Sequence, residues 1–266
     1  MNINFTINHV TEPEDLEEVV KLQESVWGKM SIVPVGHLIA SIHNGGVVLS
    51  AIEQGSGKVV GFCYGFAGFD KGNNPYIYSH MLAVLPDYQN FGIGRQLKLE
   101  QKKWAIKYGY NMMKWTFDPL EIRNGYLNLC KLGGTVSTYI PEFYGVMKDK
   151  VNKGLLSDRL LLEWDLNPDQ KKDVIQAPWK TYRPLLDWTD SNGEPKPGQR
   201  YKIQNDAGYL VAIPKDIQTI KETNLVLLNE WRLTTRQVLM SAFKAGYRLV
   251  GVERSDTIVY HYVLEK

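Results

Sequence analysis

At 266 residues the chain is long enough for one large domain or two small ones, either with a buried core. Its 31 basic and 29 acidic side chains leave a formal charge of +2, a balance that argues against a nucleic-acid coat and against adsorption to a membrane, with a local basic patch left open. Only two cysteines, Cys63 and Cys130, stand far apart with no CxxC and no paired histidine spacing, which argues against a disulfide framework and a structural zinc site and suits a reducing cytosol.

The start, MNINFTINHVTEPEDL, has no basic segment followed by an apolar run, and no stretch approaches a bilayer span, so the expectation is a cytoplasmic protein without membrane or metal partners. Ile3, Phe5 and Ile7 alternate as in a half-buried strand, and Pro13 then opens a helix carrying Leu16, Val19, Val20 and Val26. Pro34 precedes a second short helix over 35–42, ended near Asn44-Gly45-Gly46. Residues 47–52 and 59–66 are β-branched strands joined by a hairpin-like loop with Gly55 and Gly57. A strand over 76–85 meets Pro86. From Gly92 to Tyr108 the residues Ile93, Leu97, Trp104, Ala105 and Tyr108 form a helical stripe, with Lys98, Lys102, Lys103 and Lys107 read as its solvated face. A strand over 111–117, a helix over 122–132 closed by Gly133-Gly134, and strands over 135–140 and 159–166 complete a first part.

Five prolines (168, 178, 184, 195 and 197) then mark an extended linker over 168–208. Beyond it, 209–213 reads as a strand, 216–245 as a helix capped by Gly246, and 247–252 and 258–264 as two strands. The division expected is therefore 1–167, a linker over 168–208, and a second, smaller α/β unit over 209–266.

The stretch VLPDYQNFGIGRQL carries the first chemical signal. A Q-x-x-G-x-G turn between strand and helix gathers backbone N–H groups at a helix amino terminus, where unpaired donors and the dipole favour an anion. Taken alone, the two glycines serve a phosphate cradle or a plain turn equally well. A P-loop would need Gly-Lys-Ser/Thr after Gly94, and a dinucleotide fold a third glycine; neither is present.

The run Val84-x-Pro86-x-Tyr88-Gln89-x-x-Gly92-x-Gly94, on a fourth strand entering a third helix, resembles the pyrophosphate-binding motif of the GNAT superfamily of acyl-CoA-dependent N-acyltransferases. The order of elements matches that fold, a mixed α/β sheet of the α+β kind. A narrower resemblance, to a poorly characterised GNAT-type group, rests on Trp115-Thr116-Phe117-Asp118-Pro119-Leu120, Arg123-Asn124 to Asn128, Lys131-Leu132-Gly133, Tyr144-Gly145, Ser157-Asp158-Arg159-Leu160, Glu230-Trp231-Arg232 and Gly246-Tyr247. It covers nearly the whole chain. The resemblance implies that Gln89, Asn90, Phe91, Gly92, Ile93, Gly94 and Arg95 hold the coenzyme A pyrophosphate, that amides of Leu82, Ala83 and Val84 polarise the acyl carbonyl, and that acetyl-CoA or another acyl-CoA is the donor. Some relatives are associated with amino-acid racemases, which implies a succinyl donor and an amino-acid acceptor as one form of the reaction.

Transfer to an amine needs a base, a stabilised carbonyl oxygen and a proton for the leaving thiolate. Tyr78 and His80 are expected to share a face of their strand with Leu82 and Val84, and histidine suits a base near neutrality. SHMLAV resembles the corresponding strand of arylalkylamine N-acetyltransferases, with His80 on one of their histidines; its bland alternative is a core histidine. Asp118 either receives the amine or makes the turn before Pro119. Asn124 and Asn128, four apart, are expected on one helical face for amide contacts to the coenzyme, or on a solvated side. The position where many relatives carry a tyrosine acid is Leu129, so Tyr126 or Tyr144 becomes the donor unless both only pack. The reading is an N-acyltransferase acting on a small amine or amino acid, a homodimer on base rates alone; its rival is a non-catalytic acyl-CoA-binding module whose second unit binds a partner.

Overall fold

The computed structural model describes residues 3–145, 156–167, 179–255 and 257–266. Of these, 3–115 and 165–167 form one compact unit, and 116–145, 156–164, 179–255 and 257–266 form a second.

In the first unit the chain runs β1 (Phe5–His9), α1 (Pro13–Trp27), α2 (Val35–His43), β2 (Val47–Glu53), β3 (Val59–Phe69), β4 (Pro75–Val84), α3 (Ile93–Tyr108) and β5 (Met112–Phe117), with the strands in the order β1-β2-β3-β4-β5. Pairing is antiparallel as far as β4, and β4 pairs with β5 in parallel. Pro13 in the first turn and the acidic Glu14 and Asp15 favour the start of α1, and Gly28 at φ +80° ends it. One core cluster packs Leu16, Val19, Leu22 and Leu38 from the two helices against Val48, Phe62 and Tyr64, and another packs Ile93 and Leu97 of α3 against Val47, Leu49 and Cys63. Because both faces of β2 are covered, its first five residues are all buried, which is why VVLSA reads as a continuous run. Each fully buried Leu, Ile or Phe contributes about 1.5–3 kcal/mol.

The second unit contains α4 (Ile122–Gly125) continuing into a π-helical turn (Tyr126–Lys131), β6 (Thr135–Ile140), β7 (Arg159–Asp165), β8 (Arg183–Ser191), β9 (Glu194–Arg200), β10 (Gly208–Pro214), α5 (Ile217–Thr223), α6 (Leu225–Lys244), β11 (Arg248–Glu253) and β12 (Val259–Glu265). Its strands lie in the order β7-β6-β11-β12-β10-β8-β9. Leu227, Leu228, Trp231, Val238, Leu239 and Ala242 are the buried stripe of α6, and the Trp231 indole donates to the Pro195 carbonyl at 2.9 Å. Both cysteines are free, and among the described residues no helix is long and apolar enough to cross a membrane.

Three expectations are corrected here. Within the stretch taken as a linker, residues 183–191 and 194–200 are the hairpin β8–β9; residues 168–178 of it lie outside those described. Pro195 and Pro197 belong to β9, the outermost strand, where a missing N–H forfeits no ladder bond on the open side. The helix expected over 216–245 is two helices, because Asn224, at φ −148°, breaks the first and caps the second: its Oδ1 accepts from the Leu227 amide at 3.1 Å. Asn224→Ala should lower stability by about 1 kcal/mol, read as a fall in thermal midpoint with the fold retained. The boundary between compact units falls within β5, because β6 pairs with β11 and so belongs with the carboxy-terminal strands.

Candidate active site

The turn leaving β4 is a short 3-10 segment, Pro86–Tyr88, followed by Asn90 at φ +67° and Gly92 at φ +82°. Apart from its own chain neighbours and helix backbone, none of the described residues lies within 4 Å of where a Cβ on Gly92 would sit, so the left-handed backbone, not crowding, selects glycine. Gly92 is the N-cap of α3 and offers no side chain, so the first-turn amides of Ile93, Gly94 and Arg95 are left without an N-cap bond. Gln89, itself exposed, donates from Nε2 to the Val84 carbonyl at 3.2 Å and pins the loop. Asn90, Phe91, Gly92 and Arg95 are exposed around it, and Ile93 is buried beneath. A diphosphate fits here: uncapped donors at a helix start, on a glycine whose approach is open.

Just upstream, the β3–β4 register slips by one residue: Tyr64 pairs with Met81 and Gly65 with Ser79, so His80 is the extra residue of a bulge. The slip overturns the expected facing. Tyr78 and His80 lie with Tyr64 and Phe66, whose rings are 5.6–6.1 Å from the imidazole for Phe66 and Tyr64, while Leu82 and Val84 pack on the opposite face with Ile93 and Leu97. Met81 and Ala83 instead join the α1–α2 cluster. A strict alternation cannot survive an inserted residue. His80 is exposed, with the rings of Tyr64, Phe66 and Tyr78 beside it; the partial loss of water there, helped by His37, lowers its pKa below the ordinary 6.5. Tyr64 is itself fixed by a 2.6 Å bond between its hydroxyl and that of Ser41 on α2.

Leu82, Ala83 and Val84 remain in the ladder with β3, opposite Cys63, Phe62 and Gly61. With β5, β4 makes ladder pairs only at Ile77–Met113 and Tyr78–Lys114, although it runs on to Val84. Residues 16–124 match the model of the acetyltransferase (GNAT) family. Among solved structures, yncA of Salmonella typhimurium, a candidate acetyltransferase with its cofactor acetyl-CoA, aligns at TM-score 0.50 and 21% identity over 62% of this chain and 95% of its own. A candidate acetyltransferase of Acinetobacter baylyi aligns at TM-score 0.51 and 18% identity over 62% of this chain and 94% of its own. The fold is the GNAT fold. No curated protein matches the sequence.

On the GNAT helix α3 the sequence reading missed one residue. Lys98, expected on the solvated face, is buried at 3% exposure, with Gln101 beside it at 0%. Its Nζ donates to Ser79 Oγ at 2.6 Å and lies 3.8 Å from the centre of the Trp115 ring. Gly94, Lys98, Gln101 and Ala105 follow one another at helical spacing next to the apolar stripe, and that spacing is the signal a reading by residue type overlooks.

The remaining candidates lie in the second unit. Asp118 has both carboxylate oxygens engaged by Arg232, at 2.6 and 2.7 Å, and Oδ1 also accepts from the Leu120 amide at 2.8 Å. Arg159 Nη1 stands 3.8 Å from its other side. A second bidentate pair, Arg236–Asp158, adjoins this one, and Tyr139 donates to Asp158 at 2.5 Å. Burial works to raise the Asp158 pKa, but the bonds from Arg236 and Tyr139 outweigh it and hold the carboxyl below its usual range. Asp118, Asp158, Arg159 and Arg232, quoted above from three separate segments, thus meet in one ionic cluster. Its other members, Tyr139 and Arg236, carried no signal in sequence.

Asn128 is buried at 5% exposure whereas Asn124 is exposed, so the two do not share a face. The π-helical turn from Tyr126 onward has a wider spacing than the α-helix on which that expectation relied. Tyr126 is partly buried, with the Arg254 guanidinium 4.9 Å and the Lys131 ammonium 5.4 Å from its ring centre. Tyr144 is exposed, its hydroxyl 3.5 Å from Thr116 Oγ1. Leu129 is buried.

Proposed function

We propose that the protein is an acyl-CoA-dependent N-acyltransferase that moves an acetyl or succinyl group to the amino group of a small amine or amino acid, by direct attack with both substrates bound. The observation that carries this reading is the uncapped, glycine-led start of α3 immediately after a bulged β4. Acyl-CoA supplies the activated carbonyl as a thioester. The amides of Ile93, Gly94 and Arg95 hold its pyrophosphate, with Gln89 fixing the turn through Val84. Backbone amides among Leu82, Ala83 and Val84 of β4 orient the acyl group and polarise its carbonyl. His80, kept neutral by its aromatic surroundings, takes the proton of the attacking amine. Asp118, both of whose oxygens are taken by Arg232, anchors the segment after β5 rather than receiving an amine.

The test mixes purified protein with acetyl-CoA or succinyl-CoA and a panel of amines and D- and L-amino acids, and follows free thiol. Acceptor-dependent thiol release is expected. Tight coenzyme binding without release for any acceptor would instead make the protein a binding module. His80→Gln should lower kcat/KM by about 10²–10⁴-fold. In the wild type the acid limb of the profile should lie below the ordinary histidine value of 6.5, because a lowered pKa keeps the imidazole neutral to lower pH. A wild-type rate independent of pH from 5 to 8, or an unimpaired His80→Gln, would remove His80 from the chemistry.

A further inference from the structure

On the acyltransferase reading the departing sulfur needs a proton; with Leu129 standing where the resemblance places a tyrosine acid, the sequence offers Tyr126 or Tyr144 instead, and the first unit holds a further candidate. We propose that Lys98, acting through the Ser79 hydroxyl, supplies that proton from beneath the point where β4 and β5 part. The inference rests on the function proposed above.

The placement follows from the register. The last ladder pair between the two strands is Tyr78–Lys114, and the next positions along them are Ser79 and Trp115. Lys98 touches both, through its hydrogen bond to Ser79 Oγ and its position over the Trp115 ring. Ser79 Oγ in turn donates to Gln101 Oε1 at 2.5 Å, and Gln101 Nε2 is buried without a hydrogen-bond partner. A buried polar group of that kind costs stability and calls for a purpose.

The groups facing the amine are Ser79 from β4, Trp115 from β5, Cys63 from β3 and, on its own helix, Gln101. Cys63 is the titratable one, and burial pushes its thiol up to about 12, so it is neutral at physiological pH. A fully buried ammonium facing no carboxylate among the described residues is destabilised, and burial brings Lys98 down to about 7. Such an amine can give and regain a proton near neutrality. A lysine kept only for packing would be replaced at lower cost by methionine or leucine.

The step balances. As the acceptor nitrogen bonds to the acyl carbon, the electron pair of the breaking C–S bond passes to sulfur. Ser79 turns its hydroxyl from Gln101, gives its proton to sulfur and takes one from the Lys98 ammonium, while His80 takes the proton lost by the amine. Lys98 regains its proton from solvent, to which His80 releases its own.

Two readouts test this. In protein carrying ¹³Cε-lysine, the signal absent from Lys98→Met should titrate near 7 in the free protein. Coenzyme A should move that midpoint upward by about 1 unit, because its thiol can pass its proton through the relay to the amine and leave an ammonium–thiolate pair, whereas desulfo-coenzyme A should not. In turnover, the wild type should lose rate as Lys98 loses its proton above neutrality. Lys98→Met should lose this basic limb, with kcat reduced about 10²-fold and coenzyme affinity kept. Ser79→Ala, which removes one oxygen from the same relay, should reproduce the loss if Lys98→Met fails to fold. Equal midpoints with the two coenzymes, or an unaltered basic limb in the variants, would overturn the proposal while leaving the acyltransferase reading intact. Failure of the wild type to bind coenzyme A would overturn both.

Discussion

Gly92→Asp should abolish coenzyme A binding, with the dissociation constant rising more than about 100-fold in titration calorimetry, because it sets a carboxylate among amides expected to receive a pyrophosphate. The substitution has a second effect that must be separated from the first. At φ +82° any residue with a Cβ is strained, at a cost of roughly 1–2 kcal/mol. Gly92→Ala carries that strain without the charge, and since none of the described residues beyond its own chain neighbours and helix backbone lies within 4 Å of the new methyl, it should fold with the amides still in place. Loss of binding in the aspartate variant with retention to within about tenfold in the alanine variant is the expected pattern. Equal affinity of wild type and Gly92→Asp would refute the phosphate assignment.

Arg232→Ala should be strongly destabilising to the second unit. Arg232 is 4% exposed and Asp118 17%, and truncating the arginine leaves a largely buried carboxylate whose remaining cation among the described residues is Arg159, at 3.8 Å. Removing one partner of such a pair costs about 3–5 kcal/mol. The double variant Arg232→Met with Asp118→Asn removes both charges and should recover most of that loss, which denaturant unfolding of the four proteins of the cycle measures. A single-variant loss below about 1 kcal/mol would mean that water screens the pair as it does on a surface. Thiol release by these variants bears on the role given to Asp118: an anchor predicts that Asp118→Asn impairs stability more than kcat.

The secondary structure was legible because its signals are local. Alternation in residues 3–9 and 47–52, the stripe of Leu16, Val19 and Leu97, and glycines at positive φ such as Gly28, Gly92 and Gly109 each express a preference settled within a few neighbours. The β8–β9 hairpin was hidden because its prolines signal a linker until an edge position is known.

The sequence by itself determined the succession of strands and helices and the glycine turn after β4, since backbone conformation and hydrophobic period depend on nearest residues. The tertiary structure decided the rest. The one-residue slip at His80 arises only from pairing with β3, and it turns Tyr78 and His80 away from Leu82 and Val84. The burial of Lys98 needs β4 and β5 beneath the helix, and the meeting of Asp118, Asp158, Arg232 and Arg236 joins positions more than a hundred residues apart. Register, burial and ionic pairing are set by contacts between distant segments, and no periodicity within one segment encodes them.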